Sequence, residues 1–287
     1  MATAEQIIAA NELAWLRWRT AALASPVPAW LAGRSLAPRQ VAAAGWAPGW
    51  APADWQDMTH RLRRHGVPVD VALRAGLIRR AESGRLYDAF RGRVVLPIRR
   101  PSDGRILGFT ARRIDDRDER VPKYVNSPTN AAFKKGRVLF GGWEARERLS
   151  DRIDEIQSIV VCEGPFDAVR IAVARQWAPV AACGTALTQA QAEWIARAGT
   201  FFQRPIMLAY DGDTAGEAAT WRAWDLLRDS GARALCLGDL PEGRDPGELK
   251  EDELLAALRL PERRTPGLPH PVLEKETETG QTAVAGL

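Results

Sequence analysis

Histidine, cysteine, methionine and tyrosine are all scarce, with three of each among 287 residues. The histidines are His60, His65 and His270, and no two cysteines form a Cys-x-x-Cys pair. Too few such ligands stand at metal-binding spacing for a zinc finger or a zinc-centred active site, so no zinc is expected. Cys162, Cys183 and Cys236 each lie in or beside an apolar, strand-like run (SIVVC, PVAAC, ARALC), the setting of a small buried hydrophobe. Unpaired thiols suit a reducing compartment, and a cytoplasmic location is expected. Long hydrophobic runs are missing too. Nothing approaches the ~20 apolar residues that a spanning helix needs. The opening MATAEQIIAANELAWLRW is interrupted by Glu5, Asn11, Glu12 and Arg17, so neither a membrane span nor a signal peptide is expected.

A large net charge is also lacking, since 40 Lys+Arg against 36 Asp+Glu leave +4. That figure conceals a partition. Residues 1–140 carry 24 basic and 12 acidic side chains, and residues 141–287 carry 16 and 24, balances of +12 and −8. Such asymmetry marks either a polyanion-binding half beside a half with another task, or two differently decorated surfaces. With 46% hydrophobic and 26% charged residues, wholesale disorder, collagen-like sequence and a membrane bundle are excluded. The length allows about two domains.

Residues 3–82 read as helices broken by Pro and Gly. The first, ATAEQIIAANELAWLRWRTAALA, stops at Ser25-Pro26, and PAWLAG, APRQVAAAG and DWQDMTHRLRRHG follow. Trp46, Trp50 and Trp55 in the turn GWAPGWAPADW are expected to clamp helices rather than stack on bases. RGRVVLPIRR and GRILGFTARRI read as two strands around a turn at Ser102-Asp103-Gly104. Between Arg85 and Arg137 there are 14 basic against 6 acidic residues. Like charges on a small sheet repel, so folding gives no reason for this excess, whereas a polyanion partner does.

From Ile156 the pattern changes. The apolar runs SIVVC, PVAAC, IMLAY and ARALCLG alternate with helical stretches, the signature of a parallel α/β sheet. The last helix is expected over PGELKEDELLAALR, and the Pro-, Thr- and Glu-rich tail after Leu260 is expected to be disordered. The domain expectation is therefore a basic helical and mixed segment over 1–145, an α/β domain over 156–260 and a tail over 261–287.

Carboxylates fall where a parallel sheet places its ligands. Glu163 follows SIVVC, Asp211 and Asp213 follow IMLAY, and Asp245 lies in the loop after ARALCLG, all at the carboxyl ends of strands. Asp167 stands one helical turn beyond Glu163. Four or five carboxylates on one rim are costly without a cation, and oxygen-only ligation suits Mg²⁺ or Mn²⁺. Taken singly, each motif also reads as a turn or a helix cap.

CEGPFDA (162–168), CGTALT (183–188) and AYDGDTAGEAA (209–219) resemble the TOPRIM domain, whose Glu-Gly and Asp-x-Asp turns bind catalytic Mg²⁺. Upstream, YDAFRGRVVLPIRRPSDGRILGFTARRIDD (87–116) and PKYVNSPTNAAFKKGRVLFG (122–141) resemble the basic subdomain of bacterial DnaG-type primase catalytic cores. So does the helical lead-in through WLAGRSLAPRQVAAAGWAPGWAPADWQDMTHRLRRHGV, and the likeness runs from about Gln6 to Leu249.

This resemblance implies a helical and strand-rich basic subdomain followed by a TOPRIM (Rossmann-like) parallel sheet with flanking helices. It implies a nucleotidyltransferase that makes short RNA primers from NTPs on a single-stranded DNA template. Mg²⁺, with Mn²⁺ as the alternative, would be held by Glu163, Asp211, Asp213 and Asp245, with Asp167 contributing; Glu163, Asp211 and Asp213 form the catalytic set. Arg112, Lys123, Asn126 and Lys135 would face that rim and hold triphosphate or template, and Arg91 and Arg93 would guide template. Nothing here matches the family's zinc-binding or helicase-binding domains, so a separate zinc-binding protein and a replicative helicase are the expected partners. In GRDPGE, Gly247 stands where the family commonly has a second Asp. The alternatives are a TOPRIM-type nuclease and a non-catalytic DNA- or nucleotide-binding regulator. A topoisomerase is disfavoured because Tyr87, Tyr124 and Tyr210 all lie within core motifs.

Overall fold

The computed structural model describes residues 2–115, 121–184 and 186–260. The expected disordered tail lies outside the described residues.

The chain opens with α1 (Ala4–Ala22), which begins in a capping box between Thr3 and Gln6 and stops before Ser25-Pro26. Two short helices follow, α2 (Val27–Ala32) and α3 (Pro38–Ala43), each with Pro in its first turn. The Trp-Pro segment reads as a turn in the sequence, but it contains a strand, β1 (Gly49–Ala51). Its ladder partner lies more than forty residues away, Trp50 pairing with Val94, so no local pattern announces it. Next come α4 (Asp57–Arg64), α5 (Val69–Ala75) and the antiparallel ribbon of β2 (Ile78–Arg80) with β3 (Leu86–Asp88). The expected hairpin forms from β4 (Arg93–Arg99) and β5 (Ile106–Arg113), and β6 (Tyr124–Asn126) completes a sheet of order β1-β4-β5-β6.

A 3₁₀ turn at Lys135–Arg137 leads to β7 (Leu139–Phe140) and to a helix not expected from the sequence, α6 (Gly142–Asp151). Strand–helix alternation then runs through β8 (Ser158–Cys162), α7 (Pro165–Val173), β9 (Trp177–Ala182), α8 (Gln189–Phe201), β10 (Ile206–Ala209), α9 (Thr214–Asp229) and β11 (Leu235–Leu237). These strands form a five-stranded sheet of order β11-β10-β8-β9-β7, parallel except for β7. The single helix expected from Pro246 is in fact a 3₁₀ turn (Pro246–Glu248) and a separate α10 (Glu251–Ala257), broken at Leu249 and Lys250. Among the described residues no helix is long and apolar enough to cross a membrane.

Side-chain alternation sorts the core into layers. On β8, Val160 and Cys162 face α7 and the N-terminal elements, while Ile159 and Val161 face the α6, α8 and α9 side. Val94, Leu96 and Ile98 of β4 join the first of these clusters, so one continuous core connects the two sheets. On the outer face of the N-terminal sheet, Trp18 packs edge-on against Phe109 (4.8 Å between centroids) and Phe90 (5.3 Å). Each such pair contributes about 0.5–1.5 kcal/mol beyond its buried area. Trp46 stacks on Phe140 at 4.8 Å and does clamp elements together.

Candidate active site

Strands β8 and β10 are parallel neighbours, Cys162 beside Ala209, so the residues that follow them emerge at one end of the sheet. There the backbone N–H of Asp211 donates to the Glu163 carboxylate. Burial, and then repulsion from Glu163, Asp167, Asp245 and Asp213, pushes the Asp211 carboxyl up to about 7. Its Oδ1 is buried and has no hydrogen-bond partner. Asp167 accepts from the Gly164 N–H at 2.9 Å and from the Gly247 N–H, and burial followed by Asp245 raises it to about 7 as well. Asp245 reaches this rim because Gly212 lets the chain pass against the Pro241 carbonyl, where a Cβ would collide.

Basic residues share with these acids a cleft of about 930 Å³. Arg112, Lys123, Asn126 and Lys135 line it together with Glu163, Asp167, Asp211 and Asp245. Arg112 comes from β5; its guanidinium lies 5.6 Å from the Tyr124 ring centroid and 5.7 Å from that of Trp30. Lys135 rides on a turn clamped from α8, where Gln191 Nε2 donates to the Lys135 carbonyl (3.0 Å) and the Val138 carbonyl (2.7 Å). Asp213 is placed differently. It is exposed, does not line the cleft, and caps α9 by accepting the Gly216 N–H at 2.7 Å.

Arg91 and Arg93 do not line the cleft either. Arg93 is only 4% exposed, and its guanidinium donates to the carbonyls of Pro122 (2.7 Å) and Lys123 (3.2 Å). A side chain buried in this way has no face for template; it holds the segment of Pro122 and Lys123 that leads into β6. Arg91 stands on the surface, over the ring of Trp55. Trp55 is 56% exposed, so this one tryptophan departs from the expected clamp.

A divalent metal passes a test of fit here. Among the described residues no three His, Cys, Asp or Glu side chains converge tightly enough to cage an ion as they stand. Glu163, Asp167, Asp211 and Asp245 nevertheless line the cleft, the carboxyls of Asp167 and Asp211 are raised first by burial and then by neighbouring acids, and Asp211 Oδ1 is buried without a partner. A hard cation would satisfy that oxygen and remove the repulsion. Gly247 limits the donor set, because a Cβ there would lie 2.7 Å from Asp167 Oδ1 and 3.0 Å from Asp245 Oδ1.

The chain resembles known proteins over most of its length. Residues 20–146 match the family described as DNA primase catalytic core, N-terminal domain, and residues 160–250 match the Toprim-like family. The DNA primase of Deinococcus radiodurans is 37% identical over 227 residues, covering 79% of this chain and 37% of that protein. The DNA primase of Pseudomonas aeruginosa is 37% identical over 215 residues, covering 74% and 30%. The crystal structure of the RNA polymerase domain of Mycobacterium tuberculosis primase DnaG is 30% identical with a TM-score of 0.73, covering 90% of this chain and 84% of that one. The chain belongs to the DnaG-type primase catalytic-core family. A DnaG primase catalytic domain solved bound to ssDNA is likewise 30% identical, with a TM-score of 0.71, covering 85% of this chain and 76% of that one. The chain spans about a third of the length of the curated primases it matches.

Within this primase-type cleft, sequence reasoning missed Arg34. It sits just past the end of α2, its guanidinium 4.0 Å from the Trp30 ring centroid, and it lines the cleft with Gly33 and Ser35. A lone arginine after a short helix carries no periodic signal, and only the packing of α2 against Phe166 brings it to the site.

Proposed function

We propose that this chain is the catalytic core of a primase that joins ribonucleotides on a single-stranded DNA template in a Mg²⁺-dependent reaction. The observation that carries this reading is that Arg34, Arg112, Lys123 and Lys135 line one cleft together with Glu163, Asp211 and Asp245. A nuclease needs the acids, but does not require the NTP-type basic segment that shares the cleft with them.

In the proposed reaction a primer 3′-oxygen attacks the α-phosphorus of an NTP, the bond to the bridging oxygen of the β-phosphate breaks, and pyrophosphate leaves. Arg112 and Arg34 offer planar forks to phosphate oxygens, while Lys123 and Lys135 add mobile point charges. Glu163, Asp211 and Asp245 would hold Mg²⁺, with Asp213 at the outer edge of the rim. The bound ion would neutralise the charge that develops on the reacting phosphates. Asp167, stitched to Gly164 and Gly247, is better suited to holding the loop of Asp245 than to direct ligation. Glu163 faces solvent at the cleft edge with its carboxyl raised, first by burial, which suits it to receive the 3′-hydroxyl proton.

Template would approach over Arg91 and Trp55. A replicative helicase and a separate zinc-binding protein remain part of this proposal as partners. Incubation with single-stranded DNA, NTPs and Mg²⁺ or Mn²⁺ should give short RNA, and Asp211→Ala should abolish it. Unchanged synthesis in that variant, or nicking of DNA without NTP, would overturn the reading.

A further inference from the structure

Arg170 is 4% exposed and lies outside the cleft, behind it on α7. A buried guanidinium must place its donors, and the places these donors go are informative. Nε donates to the Leu249 carbonyl at 2.8 Å, and Nη1 donates to the Ser35 carbonyl at 3.2 Å. The two acceptors are 214 residues apart in the chain, and both lie on segments that line the cleft. Leu249 closes the 3₁₀ turn that begins after Asp245, and the Leu249 carbonyl lies where the expected helix breaks. Ser35 follows Arg34.

Ser35 itself is held in an uncommon conformation. After α2 the chain turns through Ser35 at φ +54°, with the Leu36 N–H reaching back to the Leu31 carbonyl and the Ser35 N–H to the Ala32 carbonyl, both at 3.0 Å. Glycine normally fills that left-handed position, and a serine there costs about 1 kcal/mol unless its surroundings over-determine it. The bond from Arg170 is one of those surroundings. Asp167, three residues earlier on the same face of α7, takes the Gly247 N–H. One helix face therefore grips the 245–249 loop at two points and the 33–36 loop at a third.

We infer that Arg170 is a positioning residue that fastens the Arg34-bearing loop and the Asp245-bearing loop to one helix, so that the nucleotide grip and the metal rim keep a fixed separation. The inference rests on the proposed function for its catalytic meaning, though the fastening itself is a property of the fold. Lysine cannot replace arginine here, because a single ammonium on a flexible stem does not span two carbonyls in a fixed fork. Loss of Arg170 then loosens both loops at once, with the Asp167 bond to Gly247 as the remaining tie on the second.

The test compares Arg170→Met and Arg170→Lys with the wild type, and uses Arg148→Lys as the control. Arg148 is a half-buried arginine that likewise donates to carbonyls (Ala44, Ala172 and Trp177), away from the cleft. Hydrogen exchange should quicken about tenfold in both 33–36 and 245–249 in the Arg170 variants, the loss expected when charge-assisted hydrogen bonds are removed. Titration with Mn²⁺ alone and with a fluorescent ATP analogue alone should show both affinities falling, also about tenfold. Arg148→Lys should lower the Tm and leave both affinities unchanged. Protection retained in either loop of a folded Arg170→Met protein would overturn the inference, as would an equal loss of both affinities in Arg148→Lys. A wild-type chain that binds neither Mn²⁺ nor nucleotide would overturn the proposed function instead, and the exchange measurement decides the fastening in either case.

Discussion

The guanidinium of Arg91 lies 3.7 Å from the ring centroid of Trp55, and it also donates to the carbonyl of Asp88. The backbone N–H of Asp88 donates in turn to the Trp55 carbonyl at 2.9 Å, while the Asp88 carboxylate takes the N–H groups of Met58 and Thr59 at the start of α4. The indole is thus exposed on a backbone fixed by hydrogen bonds, with a cation over its ring.

Trp55→Ala should weaken single-stranded DNA binding by about tenfold, within the ~1–3 kcal/mol that base–aromatic stacking provides. Nucleotide affinity should not change, because Trp55 does not line the cleft. Fluorescence anisotropy with a labelled oligonucleotide checks the first point and an ATP-analogue titration the second. Equal loss of both would show that the substitution disturbs the fold instead.

Arg93→Met should act in the opposite sense. Its guanidinium holds the carbonyls of Pro122 and Lys123 rather than a surface, so nucleotide binding should suffer more than template binding. The ratio of the two dissociation constants, measured in parallel, is the deciding quantity. A selective loss of DNA affinity would restore the template role that its position in the sequence implied.

Asp211→Asn should trade binding for stability. Because its carboxyl is raised above the unfolded value, the wild-type side chain contributes stability below about pH 4 that is lost as pH rises toward 7. At pH 8 in EDTA the variant should therefore melt higher, by roughly 2–4 °C for a chain of this size. Added Mg²⁺ should reverse the order, since only the carboxylate binds it well. Calorimetry with and without Mg²⁺ tests this, and a variant that melts lower in EDTA would refute it.

Glu144 offers a pH effect away from the cleft. It is 7% exposed, lies 3.4 Å from Arg99, and burial raises its carboxyl to about 7, with Oε2 left without a hydrogen-bond partner. Its ionisation on the way from pH 5 to pH 8 costs folded-state stability. Glu144→Gln should therefore gain in Tm relative to the wild type over that interval, whatever its offset at pH 5. A Tm difference that stays flat across the range would contradict this.

Much of the fold was legible because its strands are buried on both faces. SIVVC reads as a continuous apolar run, and β8 occupies those five residues. The rim acids were legible for a related reason, since a carboxylate directly after such a run must emerge at the strand end. Features that depend on distant partners were not. Strand β1 exists because β4 pairs with it, and the helix expected from Pro246 breaks at Leu249, whose carbonyl goes to Arg170. Arg34, Arg93 and Arg170 have similar sequence settings, yet one lines the cleft, one braces Lys123 and one ties two loops together. Only burial and donor placement distinguish them.

Strand β7 comes from the basic stretch of the sequence, yet it closes the edge of the acidic half's sheet, Leu139 beside Ala182 and Phe140 beside Ala181. Cutting the chain at residue 150 would not yield two tidy pieces. The downstream fragment would present β9 as a raw sheet border with unpaired amides and carbonyls, an invitation to self-association. Swapping one half for that of a relative meets the same obstacle, so a chimera should join after Phe140 only if the donor brings its own border strand.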